Sequence, residues 1–390
     1  MKFLCSTEDL LTGLQLVSRA ISKQQTLPIL GNVLLHVEGK RCTLSGTNLE
    51  LSIVTSFPAQ IENEGSVTVP MKAILHFVQF NQDPEILLET TEGTHLKLKS
   101  KKARAVISGE AASEYPTITP IDRQISFSLP GKPLLDALNM VTFACAKTTS
   151  RPVLSGVFVR LERGQLILVA TDSYRLSEYK LPVEGLSGDI SCIIPARFLE
   201  ELRAVLGGRV SDDAETNSDD DDGKKKMKRA PASSVEIGLS TQQIEVRTGS
   251  TQFLSRLIDG KFPNYEQILP KEKKTVVHIK AGELLTDIKR MHYFAREMNN
   301  NITFSIEGSV LKLSTQETQI GKDESEIEAK VDGESNKIAL SSSYLIDFLT
   351  HISGSDLSIE LSDKSRPAVF RTADATEFLH LIMPLRMNEE

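Results

Sequence analysis

Cysteine is scarce in this chain of 390 residues, and the four present, Cys5, Cys42, Cys145 and Cys192, stand far apart. They form no C-x-x-C pair and no plausible secreted framework, so buried reduced thiols are expected. Long apolar runs are missing too. Nowhere do about 18 consecutive apolar residues occur, which excludes a membrane-spanning helix. The opening Met1-Lys2-Phe3-Leu4-Cys5-Ser6-Thr7-Glu8-Asp9 puts polar groups and acids where a secretory segment needs an unbroken apolar run. The expectation is a soluble cytoplasmic protein with no membrane contact.

The common catalytic signatures are absent as well. No G-x-x-x-x-G-K-[ST] loop, G-x-G-x-x-G turn, G-x-S-x-G elbow or H-E-x-x-H helix occurs, which counts against a common enzyme class. His36, His76, His95, His278, His292, His351 and His380 are scattered without metal-ligand spacing. The acidic run Asp219–Asp222 before Gly223 fails as a calcium loop, because its twelfth position would be Arg229 where a bidentate Glu is needed. No metal, no cofactor and no catalytic residue are expected.

What the chain does have is the composition of a globular protein, 40% apolar and 25% charged, at a length that calls for two or three domains. Its net charge of -7 runs against nucleic-acid binding, unless the basic residues gather on one inner face.

Self-similarity organises the chain. Three landmarks recur in the same order. An amphipathic helix opens at Ser6-Thr7-Glu8-Asp9-Leu10-Leu11, again at Pro130-Gly131-Lys132-Pro133-Leu134-Leu135, and again at Lys280-Ala281-Gly282-Glu283-Leu284-Leu285. An alternating strand ends in Thr47, Thr171 and Thr315. A strand then turns directly into a helix around Pro70-Met71, Pro195-Ala196 and Leu340-Ser341, and a proline there sacrifices no needed N–H. From helix leucine to threonine is 37 residues (10 to 47), 37 (134 to 171) and 31 (284 to 315). From threonine to the third landmark is 23 (47 to 70), 24 (171 to 195) and 25 (315 to 340).

The pattern is an internal triplication of an α+β unit with two helices packed on antiparallel sheet. The expected domains are 1–122, 126–270 and 274–390. The middle copy is longer because residues 211–234 carry an acidic then basic insert with almost no apolar content, expected to be a disordered surface loop. Such a build suits gripping a partner better than catalysis. Basic residues on the repeated helices, among them Arg19, Lys23, Lys72, Lys132, Lys147, Arg197, Arg203, Arg209, Lys289, Arg290 and Arg296, would hold phosphates without reading bases if they share one surface.

Specific strings carry a family resemblance over essentially the whole chain. Thr26-Leu27-Pro28-Ile29-Leu30-Gly31-Asn32, Ala170-Thr171-Asp172-Ser173-Tyr174-Arg175-Leu176, Asp259-Gly260-Lys261-Phe262-Pro263-Asn264-Tyr265 with Leu269-Pro270, and Met383-Pro384-Leu385-Arg386 resemble the bacterial DNA polymerase III beta subunit, the replicative sliding clamp. The resemblance implies three clamp domains per chain and a head-to-tail homodimer forming a six-domain ring around double-stranded DNA, without sequence preference. It makes the strand around Ala105 and Ile107 a dimer contact, with Tyr293 and Phe294 opposite. It makes Lys23, Gln24, Lys72, Lys147, Arg197, Arg203 and Arg296 DNA-facing.

It also implies a groove for short peptide motifs of the polymerase III alpha subunit, the clamp loader and other polymerases or repair proteins. Carried over residue by residue, that groove comprises Leu154, Thr171, Tyr174, Arg175, Leu176, Pro263, Ile268, Tyr344, Leu381, Met383, Pro384, Leu385 and Arg386. An apolar trough with a few polar anchors suits an extended peptide.

Three departures from the family pattern stand out. Gln24 occupies a basic position, Gln267 replaces an Arg at the groove edge, and Met387 stands for a Leu with Asn388-Glu389-Glu390 following. Two other classes share parts of the pattern: a non-ring scaffold of three repeats, which would be monomeric, and an enzyme with a site assembled across domains.

Overall fold

In the computed structural model, residues 1–22, 27–91, 94–148, 150–183, 190–208, 234–373 and 375–386 are described. The insert 211–234 lies outside them except for Ser234, which opens the strand Ser234–Leu239, and the DNA-facing candidates Lys23 and Gln24 lie outside them too, as do Arg209 and Met387 to Glu390.

Each landmark of the repeat falls on the expected element. The first helices are Thr7–Ser18, Gly131–Val141 and Ala281–Ala295. The threonine-ending strands are Arg41–Thr47, Gln165–Thr171 and Val310–Thr315. The strand-to-helix turns are Gly65–Pro70 into Met71–Gln79, Ser191–Pro195 into Ala196–Leu206, and Asn336–Ser341 into Ser342–Leu349. Local chemistry sets these starts. Ser6 accepts a hydrogen bond from the Asp9 N–H at 3.3 Å, capping the first helix, and Pro70 occupies the N-cap of the second.

The threonine has a structural use. Thr47 Oγ1 donates to the Leu51 carbonyl at 3.2 Å and accepts from the Leu49 N–H at 3.0 Å, while Asn48 Oδ1 accepts from the N–H groups of Glu50 and Leu51. Thr171 and Asp172 repeat this one copy later: Thr171 Oγ1 donates to the Arg175 carbonyl at 2.6 Å and accepts from the Ser173 N–H, and Asp172 Oδ1 accepts from Tyr174 and Arg175. Both turns hold their third residue at positive φ, 76° for Leu49 and 82° for Ser173, a conformation that side-chain bonding to the backbone makes tolerable. In the third copy Thr315 Oγ1 instead accepts from the Asp323 N–H at 2.9 Å, closing a longer excursion.

The chain divides into two compact units, 1–135 with 197–257 and 136–196 with 258–390. The first unit holds a five-stranded antiparallel sheet, in the order Gln60–Asn63, Lys2–Ser6, Glu85–Thr90, His95–Lys99, Arg104–Ser108, and an eight-stranded one. In the latter, Thr251–Arg256 of the middle copy pairs with Leu51–Pro58 of the first, Phe253 opposite Ile53. The second unit holds a nine-stranded sheet in which Arg175–Pro182 of the middle copy pairs with Ala375–Ile382 of the last, Leu176 opposite Leu381. Its four-stranded sheet runs Glu324–Glu328, Val310–Thr315, Asn301–Glu307, Asn336–Ser341.

Sheets therefore run through the copy boundaries, and the halves of the middle copy each join a neighbour. That is why compactness yields two units from three repeats.

The core of the last copy gathers helix residues Leu284, Ile288, Leu345 and Phe348 over sheet residues Phe304, Ile338, Phe370 and Phe378, all buried. Burial also explains the cysteines. All four are free, and exclusion of water pushes the thiols of Cys5 up to about 12 and Cys192 up to about 11. No helix of the described residues is long and apolar enough to cross a membrane.

Candidate functional site

The candidate groove lies within the second unit, where the turn Thr171–Leu176 meets the chain end Met383–Arg386. Alternation along the strand Arg175–Pro182 sends neighbouring side chains to opposite faces. Leu176 points into an apolar cluster with Leu154, Val169, Phe262, Val369, Leu379 and Leu381, all buried, and Met383 packs against it from a half-buried position. Four predicted groove residues, Leu154, Leu176, Leu381 and Met383, are thus brought together as one apolar floor.

Arg175 faces the other side of the sheet. Only 4% exposed, its guanidinium donates from all three nitrogens. Nε donates to Asp172 Oδ2 at 3.1 Å, one Nη to Asp347 Oδ2 at 2.9 Å and the other to the Phe143 carbonyl at 3.0 Å. The same group lies 4.8 Å from the Tyr344 ring centroid and 5.6 Å from that of Phe143. Tyr344 in turn stacks at 6.3 Å with Tyr174, which is 61% exposed. In this chain Arg175 is a buried strut for an aromatic shelf.

Its partners Phe143 and Asp347 lie 32 and 172 residues away, so no local pattern marks them. Asp172 sits inside the Thr171–Leu176 string, where its turn-forming role was open to reading.

The chain end is fixed by its backbone. Met383 N–H donates to the Tyr174 carbonyl at 2.8 Å, Leu385 N–H to the Ala339 carbonyl at 2.8 Å, and Asn301 Nδ2 to the Arg386 carbonyl at 3.3 Å. Met383, Pro384 and Leu385 are half-buried and Arg386 exposed. Pro263 and Ile268 are exposed on a segment that two neighbours anchor, Phe262 stacked on Phe158 at 5.0 Å and buried Tyr265. The Tyr265 hydroxyl donates to buried Glu178 at 2.5 Å, and burial together with that carboxylate pushes the phenol well up. Gln267 is exposed on the same turn, Tyr265–Ile268.

Behind the floor, fully buried His380 bonds Ser177 Oγ through Nδ1 at 2.8 Å and stacks on Phe348 at 4.4 Å, its Nε2 without a partner among the described residues. Burial first, then the charge of Arg175, then His351, hold its pKa well below the usual value of 6.5. An unfolded chain protonates this imidazole below about pH 6.5, whereas the folded one keeps it neutral. The unfolded state binds the extra proton, so stability is intact above that value. It falls as pH drops beneath it, by about 1.4 kcal/mol per pH unit until the folded imidazole also titrates. Urea midpoints at roughly pH 7.5 and 5.5 should show a smaller acid loss in Ser177→Ala/His380→Phe than in the natural chain. Equal losses would rule out this histidine as the cause.

The other predicted residues are placed as follows. Lys72 and Arg197 sit in the first turns of helices Met71–Gln79 and Ala196–Leu206, and are exposed. Lys147 is exposed just beyond a helical segment, Arg296 is exposed at the start of the 3-10 turn Arg296–Met298 that follows helix Ala281–Ala295, and Arg203 is half-buried in a last turn. None of these five is ion-paired among the described residues. Arg19 and Arg290, which the charge pattern grouped with them, are held by acids, Arg19 by Glu201 at 2.6 Å and Arg290 by Asp287 and Asp323.

Ala105 and Ile107 lie on Arg104–Ser108, the outermost strand of the five-stranded sheet. Ile107 is 8% exposed and turned inward, so the side chain standing free there is Val106, at 66%. Tyr293 is 64% exposed, edge-to-face with Phe294 at 5.5 Å.

Comparison with known proteins follows the same order along the chain. Family models described as DNA polymerase III beta subunit match in sequence: the N-terminal domain at residues 1–119, the central domain at 128–214 and the C-terminal domain at 266–386. The beta sliding clamp of Synechocystis sp. is 28% identical over 409 residues, covering 99% of this chain and 100% of the relative. That of Staphylococcus epidermidis is 28% identical over 396 residues, covering 99% of each. Among solved structures, the DNA polymerase sliding clamp of Bacillus subtilis matches with TM-score 0.89 at 25% identity over 100% of both chains. The Pseudomonas aeruginosa sliding clamp bound to griselimycin matches with TM-score 0.88 at 28% identity, covering 99% of this chain and 100% of that one.

Proposed function

Because the chain belongs to the DNA polymerase III beta subunit family, the bacterial sliding clamps, we propose that its trough is the groove through which it tethers partners while it encircles duplex DNA. The chain is a DNA sliding clamp, a processivity factor in DNA replication. Topological enclosure keeps a polymerase on its template, so weak phosphate contacts independent of sequence suffice and allow sliding. The chain makes and breaks no bond. It serves the polymerase III holoenzyme in the cytoplasm as a non-catalytic subunit of three clamp domains, 1–122, 126–270 and 274–390.

The observation that carries the groove is the shared floor. Leu154 and Leu176 of the middle copy and Leu381 of the last form one buried apolar cluster, on which half-buried Met383 packs beside the exposed aromatic Tyr174. An extended peptide with hydrophobic side chains would pack them over that cluster, beside half-buried Met383 and Leu385. The peptides are those of the polymerase III alpha subunit, the clamp loader, and other polymerases and repair proteins.

Dimerisation is supported by two outer strands. Arg104–Ser108, preceded by Lys101 and Lys102, is a basic sheet edge. Glu324–Glu328, with Glu324, Glu326 and Glu328 exposed, is an acidic one. An unpaired edge exposes backbone donors and acceptors, and two edges of opposite charge on one chain suit a head-to-tail pair that closes. Lys72, Lys147, Arg197, Arg203 and Arg296 supply phosphate contacts.

The decisive experiment loads the protein onto nicked circular duplex DNA. It should be retained by the circle and lost when the DNA is linearised. Equal retention on both forms would rule out enclosure.

A further inference from the structure

The trough floor does not stop at Leu381. Paired residues run in one row across four strands on the same face of the sheet, Leu176 opposite Leu381, Leu381 opposite Val369, and Val369 opposite Glu360. Beyond Val369 and Leu379, both part of the floor cluster, opens a pocket of about 400 Å³ closed on one side by Leu269 and the following chain.

The pocket's far rim is charged. Lys273 Nζ lies 3.0 Å from Glu360 Oε1 and Arg371 Nε 3.5 Å from Glu360 Oε2, so a single carboxylate is shared by two cations. Glu272 is the only other acid on the lining, against Lys271, Lys273 and Arg371. Arg371 is half-exposed, and only its Nε is engaged among the described residues. Its two Nη groups are therefore available as a fork for a carboxylate.

We propose that this pocket is an extension of the peptide groove, and that it takes an acidic side chain flanking the hydrophobic anchors of a bound partner peptide. The inference rests on the reading of the trough as a peptide groove. Geometry sets the spacing. Strands lie about 4.8 Å apart, so Glu360 is about 10 Å across the sheet from Leu381, which about three residues of extended peptide span. An aspartate or glutamate about three residues beyond the anchor over Leu381 would face Arg371, and the carboxylate would replace water at the Nη groups.

Fluorescence polarisation on the full-length chain tests this with short labelled peptides carrying leucine and phenylalanine anchors. One is neutral; others bear a glutamate about three residues before or after the anchors. One of the acidic peptides should bind about three- to tenfold tighter than the neutral one at low salt. The advantage should shrink at high salt and vanish in Arg371→Ala, where acidic and neutral peptides bind alike. Equal affinity for neutral and acidic peptides on the natural chain overturns the extension while leaving the groove standing. Failure of every peptide to bind overturns the groove, and the extension with it. An acidic preference that survives Arg371→Ala places the acid elsewhere and also overturns the proposal.

Discussion

Tyr293→Asp will leave the chain folded and weaken its dimer about a thousandfold. The ring of Tyr293 stands 64% exposed near the C-terminal end of helix Ala281–Ala295, edge-to-face with Phe294, whose ring reaches to within 3.8 Å of where a Cβ on Gly321 would stand. Ile320 beside that glycine is also exposed, so the three side chains make an apolar patch on the copy that carries the acidic edge Glu324–Glu328. Burying a carboxylate there without a partner costs on the order of 2 kcal/mol or more.

A closed head-to-tail dimer has two identical interfaces, so the cost counts twice, roughly 4 kcal/mol, or about a thousandfold in the dissociation constant. Sedimentation velocity reads the change directly. Far-UV circular dichroism should be unchanged, because the substituted side chain is exposed in the single chain, while the melting temperature should fall by the stabilisation that dimerisation supplies. A variant whose dimer dissociates over the same concentration range as the natural chain's would disprove the assignment of this patch. Loss of retention on circular DNA should accompany monomerisation.

The second large effect is expected at the groove. Met383→Ala combined with Leu385→Ala should weaken binding of a hydrophobic partner peptide by about a hundredfold, while the protein still dimerises. Met383 packs on the floor formed by Leu154, Leu176 and Leu381, and Leu385 follows it in a half-buried position. Truncating two apolar contacts in a binding pocket removes about 1–2 kcal/mol each. The backbone of the segment should keep its place, since its bonds to the Tyr174 and Ala339 carbonyls come from N–H groups that the substitutions leave intact. Isothermal titration with the peptide, alongside sedimentation, separates the two properties. Unchanged peptide affinity would move the site elsewhere, and loss of dimerisation would mean that the end segment does more than bind.

Much of the architecture was legible because the repeats are periodic in local chemistry. Thr47 and Thr171 end their strands in the same way because each hydroxyl closes the turn that follows, a bond made within a few residues. The helix starts and the strand-to-helix turns were readable for the same reason.

What could not be read is what depends on distant pairing. That Thr251–Arg256 would extend the sheet of the first copy through Leu51–Pro58 has no local signature. The partners of Arg175 are equally hidden. The string Tyr174-Arg175-Leu176 gives three groove candidates in a row, yet strand alternation turns the guanidinium away from the leucine and into Phe143, Tyr344 and Asp347. At the outer strand, alternation likewise exchanges Ile107 for Val106 as the side chain that stands free.

The ladders that cross the copy boundaries bear on how the protein responds to strain. Leu51–Pro58 with Thr251–Arg256, and Arg175–Pro182 with Ala375–Ile382, are main-chain seams made wholly within the chain, each five residue pairs long. The outer edges at 104–108 and 324–328 have no such seam among the described residues. On the pairing proposed above, those two edges are the joints between chains, held by association alone. Amide protons along the seams would be the last to exchange with deuterium, and those pointing outward from the two edges would report, by their rate, how often the joints part.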